Sequence, residues 1–182
     1  MKKLTTSYTF SPMSLKIRKY IDTDLSSMLL VWNEVVREGQ AFPQTEELGL
    51  EDGAKFFAEQ SYCGVAEKDG EIVGLYILHP NNIGRCGHIA NASYAVKADG
   101  RGGGIGRALV MDSLERARQA GFGILQFNAV VLSNERAHKL YENLGFTALG
   151  RVPGGFRRDD GSYEDIRLYY YDLTKLPKTS GI

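Results

Sequence analysis

The sequence predicts a mixed α/β fold: a single domain built on one sheet of antiparallel and parallel strands with helices on its faces. Three observations carry that expectation. Two β-type runs, Gly64 to Glu67 and Ile72 to Leu78, flank KDGE, whose Asp69-Gly70 is the strongest short hairpin signal in the chain. Strand-like and helix-like patterns alternate through the second half, which implies right-handed βαβ crossovers and parallel pairing in the centre of the sheet. The apolar residues Ile105, Leu109, Val110, Leu114 and Ala117 recur at three and four, one core-facing helical stripe.

In chain order, residues 1–13 are polar without a clear period and read as an N-terminal arm. The folded domain is expected over 14–174, and residues 175–182 form a tail. LKIRKY, Leu15 to Tyr20, alternates like a short strand. Asp22 or Thr23 then caps a helix through Met28, Leu29, Trp32, Val35 and Val36 to Gly39. Gly39 to Asp52 carries glycine, proline and polar residues and is expected as a loop, with a short helix over Ala54 to Glu59. After the antiparallel hairpin come a strand from His88 to Val96 and a helix from about Gly104 to Ala120, stopped by Gly121. A strand over Ile124 to Leu132, a helix over Asn134 to Leu144, and strands over Phe146 to Val152 and Glu164 to Leu173 complete the reading.

At 182 residues the chain is long enough for a core on both faces of a sheet. Its 22 basic and 22 acidic residues leave no net charge, so a broad electrostatic surface for nucleic acid or anionic membrane is not expected, and any bound anion must be held locally. No run is apolar enough for a signal peptide or a membrane span. Cys63 and Cys86 match no metal-site spacing and are too few for a disulfide scaffold, so no metal and a reducing cytoplasm are expected.

The stretch RGGGIGRALV, Arg101 to Val110, carries the first chemical signal. Glycine costs on the order of 1 kcal/mol against alanine in a helix, so four glycines at a helix start need a compensating reason. One is a tight turn. The other is a loop whose bare amides approach an anion at a helix N-terminus, with Arg101 and Arg107 adding charge. The spacing does not satisfy the P-loop pattern, nor the dinucleotide pattern with its third glycine.

SNERAHKLYENLGF, Ser133 to Phe146, supplies the second signal, with Ala137, Leu140, Tyr141 and Leu144 on one helix face and Gly145 as the stop. Together RGGGIG and N-x-x-A-x-x-L-Y-x-x-L-G-F resemble the two signatures of the GNAT acetyltransferase superfamily, and element order agrees over about residues 15–173. The resemblance implies the GNAT acyl-CoA N-acyltransferase fold, acetyl-coenzyme A as co-substrate, and direct transfer of an acetyl group to an amine. It implies that the amides of Gly102, Gly103, Gly104, Ile105 and Gly106 bind the pyrophosphate, with Arg101 and Arg107 beside it. Backbone groups at Tyr94, Ala95 and Val96 would pair with the pantetheine arm, Asn134 would hold that arm, and Tyr141 would protonate the departing thiolate. Tyr141 also suits a packed core position, and Asn134 a helix cap.

Asn91 and Asn128 stand mid-strand, where an unpaired buried amide costs roughly 1–3 kcal/mol, so each needs a partner. If their strands are parallel neighbours, both amides project into one cleft. GHIANASYAV, QFNAVV and LGRVPGGF also resemble a GNAT subgroup typified by yeast acetyltransferases acting on proline analogues such as azetidine-2-carboxylate, in which asparagines on these strands contact a small amino acid. That resemblance implies substrate contacts at Asn91 and Asn128. Glu38 and Phe42, in or beside the first long loop, are further substrate-side candidates. The strand 89–96 holds no carboxylate or histidine, leaving Glu38, His88 or a water at Asn91 as the base, or uptake of an already neutral amine that needs none. A small-molecule amine is the expected acceptor. A protein N-terminus or lysine, or a non-catalytic acyl-CoA-binding sensor, remain the alternatives. A homodimer is allowed by the resemblance, with Leu168 to Leu173 as an ordinary strand or a dimer edge.

Overall fold

The computed structural model describes residues 15–177. The expected arm, residues 1–13, and the tail beyond residue 177 lie outside the described residues. The elements are β1 Leu15–Lys19, α1 Leu25–Glu38, α2 Leu50–Ala58, β2 Tyr62–Lys68, β3 Glu71–Pro80, β4 Ile89–Val96, α3 Ile105–Gln119, β5 Ile124–Val131, α4 Glu135–Asn143, β6 Thr147–Arg157 and β7 Tyr163–Asp172. They form one seven-stranded sheet in the order β1-β2-β3-β4-β5-β7-β6.

The first four strands are antiparallel neighbours. Between β2 and β3 the chain reverses through Asp69 and Gly70, both at positive φ (52° and 85°), the conformation that this dipeptide favours. The crossover through α3 returns β5 parallel to β4, but the ladder between them holds only at Ile89 with Ile124 and Ala90 with Leu125. Beyond that point the two strands part. β7 lies antiparallel to both β5 and β6, so the LYYYDL run has strand partners on either side and is not a sheet edge.

Alternation divides the core into two layers. Leu75 and Ile77 of β3 and Ala95 of β4 pack with Met28, Trp32, Val35 and Phe57 of α1 and α2. Tyr76, Leu78, Ala90, Ala92, Leu125 and Phe127 face Ile105, Leu109, Leu114 and Ala117 of α3, with Leu140 and Tyr141 of α4 against the same layer. An ion-paired anchor closes the β1 end: the Arg18 guanidinium donates to both oxygens of Asp24, at 2.6 and 2.9 Å, and to Glu67 at 2.6 Å.

Two boundaries and one strand pairing differ from expectation. Helix α2 begins at Leu50, not at Ala54, because Glu51 and Asp52 suit a first helical turn and Gly53 is dictated by packing: a Cβ there would sit 2.6 Å from Leu29 Cδ2. Strand β6 runs on to Arg157 through Pro153-Gly154-Gly155. An edge strand tolerates a proline that lacks a donor, and the register shifts between Val152 and Phe156 absorb the extra residues. The pairing of β7 between β5 and β6 leaves a single parallel contact in the sheet where more was expected.

Candidate active site

The parting of β4 and β5 creates the site. Lys97 N–H donates to Val73 O, and Ile89 O accepts from Asn81 N–H, so odd-numbered residues of β4 direct their backbone groups toward β3. The ladder between them has no register shift, so the even-numbered residues direct theirs toward β5. Past Ala90 there is no β5 to meet them. Ala92, Tyr94 and Val96 therefore present backbone groups to the open split. Ala95, expected to do so, turns its backbone to Leu75 instead, and its side chain is fully buried. The exposure of the Ala92 backbone to the split leaves no mark on side-chain identity, so the sequence does not point to it.

The glycine loop stands at the C-terminal end of that split. Gly102 and Gly104 take positive φ, 92° and 83°, which accounts for glycine at those two positions. Gly103 and Gly106 do not. A Cβ on Gly103 would meet only Gly100 O at 3.4 Å, and one on Gly106 only Leu140 Cδ2 at 3.7 Å, both ordinary contacts. Nothing within the fold demands bare backbone there, whereas an anion seated on the loop does. The amides of Gly102, Gly104, Ile105, Gly106 and Arg107 have no acceptor among the described residues, while that of Gly103 turns to Gly100 O at 3.4 Å. An acyl-coenzyme A pyrophosphate fits such a set of donors at a helix N-terminus.

Of the two arginines, Arg107 is exposed and carries no ion pair among the described residues. Arg101 is engaged: its Nε donates to Val96 O at 3.1 Å, and its guanidinium lies 2.9 Å from Glu38 Oε1. This pair ties the end of α1 to the glycine loop and neutralises Glu38, which weakens the case for that carboxylate as a base. His88 is exposed, beside Gly123, and by alternation belongs to the α3 face of the sheet, away from Asn91. Phe42 is 7% exposed and tilted onto Trp32 with ring centroids 4.4 Å apart, so its surface belongs to the core under the loop.

Helix α4 sits across the split from β4. Asn134 caps it, its Oδ1 accepting from Ala137 N–H at 3.2 Å, which leaves its Nδ2 hydrogens without a protein partner among the described residues. Tyr141 is half-buried among Phe127 (4.5 Å between centroids), Phe146 (5.5 Å) and Tyr169 (5.7 Å). Burial, assisted by the neighbouring Tyr169, pushes its phenol well above the ordinary value of 10, so it holds its proton at neutral pH. Behind it His138 is buried, with Nε2 donating to Val131 O at 3.1 Å and Nδ1 2.8 Å from the Tyr169 hydroxyl, which itself donates to Glu142 Oε1 at 3.1 Å.

The asparagines lie together. Asn91 shares a face with Ser93, and Asn128 with Gln126; both pairs stand on the α1 side of the sheet. Asn128 and Asn81 exchange amide hydrogen bonds at 2.5 and 3.2 Å, and Gln126 Nε2 donates to Asn128 Oδ1 at 3.0 Å. Asn91 has no side-chain hydrogen bond among the described residues. A turn over 158–162 leans across this end: Arg158 bonds Glu164 and Ser133 Oγ, and Asp159 Oδ2 would lie 2.7 Å from a Cβ on Gly39. A cavity of about 540 Å³ is lined by Leu30, Glu34, Arg37 and Glu38 of α1 and by Lys97.

Residues 28–146 match the model of the acetyltransferase (GNAT) family. This chain belongs to that family. A GCN5-related N-acetyltransferase from Kribbella flavida is 34% identical to this GNAT chain, with a TM-score of 0.80 over 87% of it and 97% of the other. N-acetyltransferase aca1 of Schizosaccharomyces pombe is 34% identical over 106 residues, 58% of this chain, and the match spans only 51% of the yeast protein's length. A phosphinothricin acetyltransferase from Sinorhizobium meliloti, solved in complex with acetyl-coenzyme A, shares the fold at 21% identity, with a TM-score of 0.82 over 93% of this chain and 96% of that one. Among the described residues no helix is long and apolar enough to cross a membrane.

Proposed function

We propose that this GNAT chain transfers the acetyl group of acetyl-coenzyme A directly to the amine of a small molecule, an amino or imino acid being the class to test first. The observation that carries the reading is the split beyond Ala90 and Leu125, with orphan loop amides at one end and a neutral, amide-lined face at the other. In this reading the pyrophosphate is held by the amides of Gly102, Gly104, Ile105 and Gly106 with Arg107 beside it. The pantetheine amides pair with Ala92, Tyr94 and Val96 like an added strand. Asn134 steadies the arm through Nδ2. Asn91 and Asn128 orient the acceptor, and Tyr141 gives its proton to the sulfur as the carbon–sulfur bond breaks, a transfer that relies on close placement.

The 158–162 turn resting on Gly39 supports a small acceptor over a protein one, since an extended chain would have to pass between the 39–49 loop and the β6–β7 hairpin. Calorimetric titration with acetyl-coenzyme A, with adenosine and a nicotinamide dinucleotide as controls, tests the donor site. Micromolar, selective binding is expected. An acetylation screen headed by azetidine-2-carboxylate, with peptides as competitors, then tests the acceptor. Acetylated peptide without acetylated imino acid overturns the small-molecule reading, and binding without any turnover identifies a sensor.

A further inference from the structure

The acceptor arrives at neutral pH as an ammonium ion, and it must lose a proton before its nitrogen can attack. Neither base expected from the sequence is well placed: Glu38 is paired with Arg101, and His88 belongs to the other face. We propose that His79, at the end of β3, is the general base. This rests on the acetyl-transfer reading above and names the residue that reading lacks.

Three observations place it. In the β3–β4 register His79 stands directly opposite Asn91, and paired residues of neighbouring antiparallel strands project on the same face with Cβ atoms about 5 Å apart. That puts the imidazole level with the start of the split, on the face of Asn91, Ser93, Gln126 and Asn128, with β4 between it and the gap. Second, His79 is only partly buried, so a proton it takes up has a route to water. Third, its tautomer is set. Nδ1 lies 3.0 Å from Pro80 O, a carbonyl that only accepts, so Nδ1 carries the hydrogen and the basic lone pair is on Nε2.

The Nε2 of His79 makes no hydrogen bond among the described residues. The residues sharing its face on β4 and β5 are neutral. The α1 carboxylates Glu34 and Glu38 are engaged at the far end of β4 by Ala98 N–H and by Arg101. Tyr62 of β2 stacks on Tyr76, on the opposite face of the sheet.

The step balances as follows. Nε2 removes one proton from the ammonium nitrogen, and the freed electron pair attacks the thioester carbonyl carbon. The carbon–sulfur bond breaks toward sulfur, which takes the Tyr141 hydroxyl proton. The new amide nitrogen sheds its second proton to solvent, a solvent proton restores Tyr141, and imidazolium returns its proton to water.

The test compares wild type with His79→Asn, which keeps a donor for Pro80 O but has no basic nitrogen, on two acceptors. Glycine is an ammonium at pH 7; aminooxyacetate, of similar size and with the same carboxylate, is neutral at nitrogen. The variant is expected to lose about 100-fold or more in kcat on glycine, the scale of general base catalysis, and less than threefold on aminooxyacetate, with acetyl-coenzyme A affinity unchanged. Equal losses on both acceptors, or no loss on glycine, overturn the proposal. Independently of turnover, nitrogen-15 NMR of the histidine rings is expected to show His79 protonated on Nδ1; the Nε2–H tautomer overturns it. Wild-type protein that acetylates neither acceptor, nor any amine in the earlier screen, refutes the transfer reading itself, while the NMR result still judges the His79 geometry.

Discussion

Replacing Gly106 by alanine separates what the glycine loop does for folding from what it does for a ligand. Gly106 is the second residue of α3, has no positive φ, and leaves its Cβ position 3.7 Å from Leu140 Cδ2, so the fold has room for a methyl group. Alanine is favoured over glycine in a helix by about 1 kcal/mol, and part of that is realised in a first turn. A gain of about 0.5–1 kcal/mol is expected, which for a chain of this size raises Tm by about 1–4 °C. Binding should move the other way. A methyl group beside the Gly106 amide keeps a phosphate oxygen from its full approach, and losing one charge-assisted hydrogen bond costs about 1.5–3 kcal/mol, or roughly ten- to a hundredfold in Kd. Scanning calorimetry and titration with acetyl-coenzyme A on the same preparation read both quantities. A stabilised variant with unaltered affinity refutes the cradle at Gly106. A destabilised variant refutes the claim that the fold itself is indifferent to a side chain there.

Two further outcomes follow from other parts of the molecule. Tyr141→Phe should lower kcat by about ten- to a thousandfold while leaving acetyl-coenzyme A affinity intact, because the ring keeps its aromatic neighbours and only the proton is lost; an unchanged rate by thiol-release assay removes Tyr141 from the mechanism. At the β1 anchor, hydrogen bonds from Arg18 hold the Asp24 carboxyl below its ordinary value of 3.8, against the opposing effect of burial. A depressed folded pKa contributes stability that is present above the unfolded value and lost as pH falls through the folded one. Urea unfolding should therefore find Asp24→Asn less stable than wild type by about 1–3 kcal/mol at pH 7, with the gap narrowing below about pH 4. A gap that widens on acidification contradicts the pairing.

Much of this architecture was legible because local signals agree with it. Asp69-Gly70 turns where its backbone preference says it should, Gly121 and Gly145 take the positive φ of helix stops, and the three-and-four stripe of Ile105, Leu109, Val110, Leu114 and Ala117 does face the core. What was hidden depends on neighbours distant in the chain. Gly53 reads as a loop residue until Leu29 is set against it. Arg101 and Glu38 carry no hint of each other across 63 positions. His79 ends an apolar run, and only the register opposite Asn91 gives it a context. The split itself could not be read, since the β4–β5 pairing joins strands separated by α3 and no residue type within β4 marks where it stops.

The position of β7 has a consequence for how the chain reaches its folded state. The strands from β1 to β4 each pair with the strand next in the chain, β2 with β3 and β3 with β4 by short closures and β1 with β2 across helices α1 and α2. β5 has no such option over most of its length, and β6 has none until its hairpin partner is made, because each is hydrogen-bonded to β7, the last strand in the chain. Until residues 163–172 are available, β5 is a bare edge, β6 has no ladder at all, and the aromatic bed of Tyr141 lacks Tyr169. The slow, non-local pairing of β5 with β7 is thus also the step that brings Tyr169 to Tyr141. Nascent chains stalled before Tyr163 should hold a protected β1–β4 unit and an acetyl-transfer site that does not yet exist.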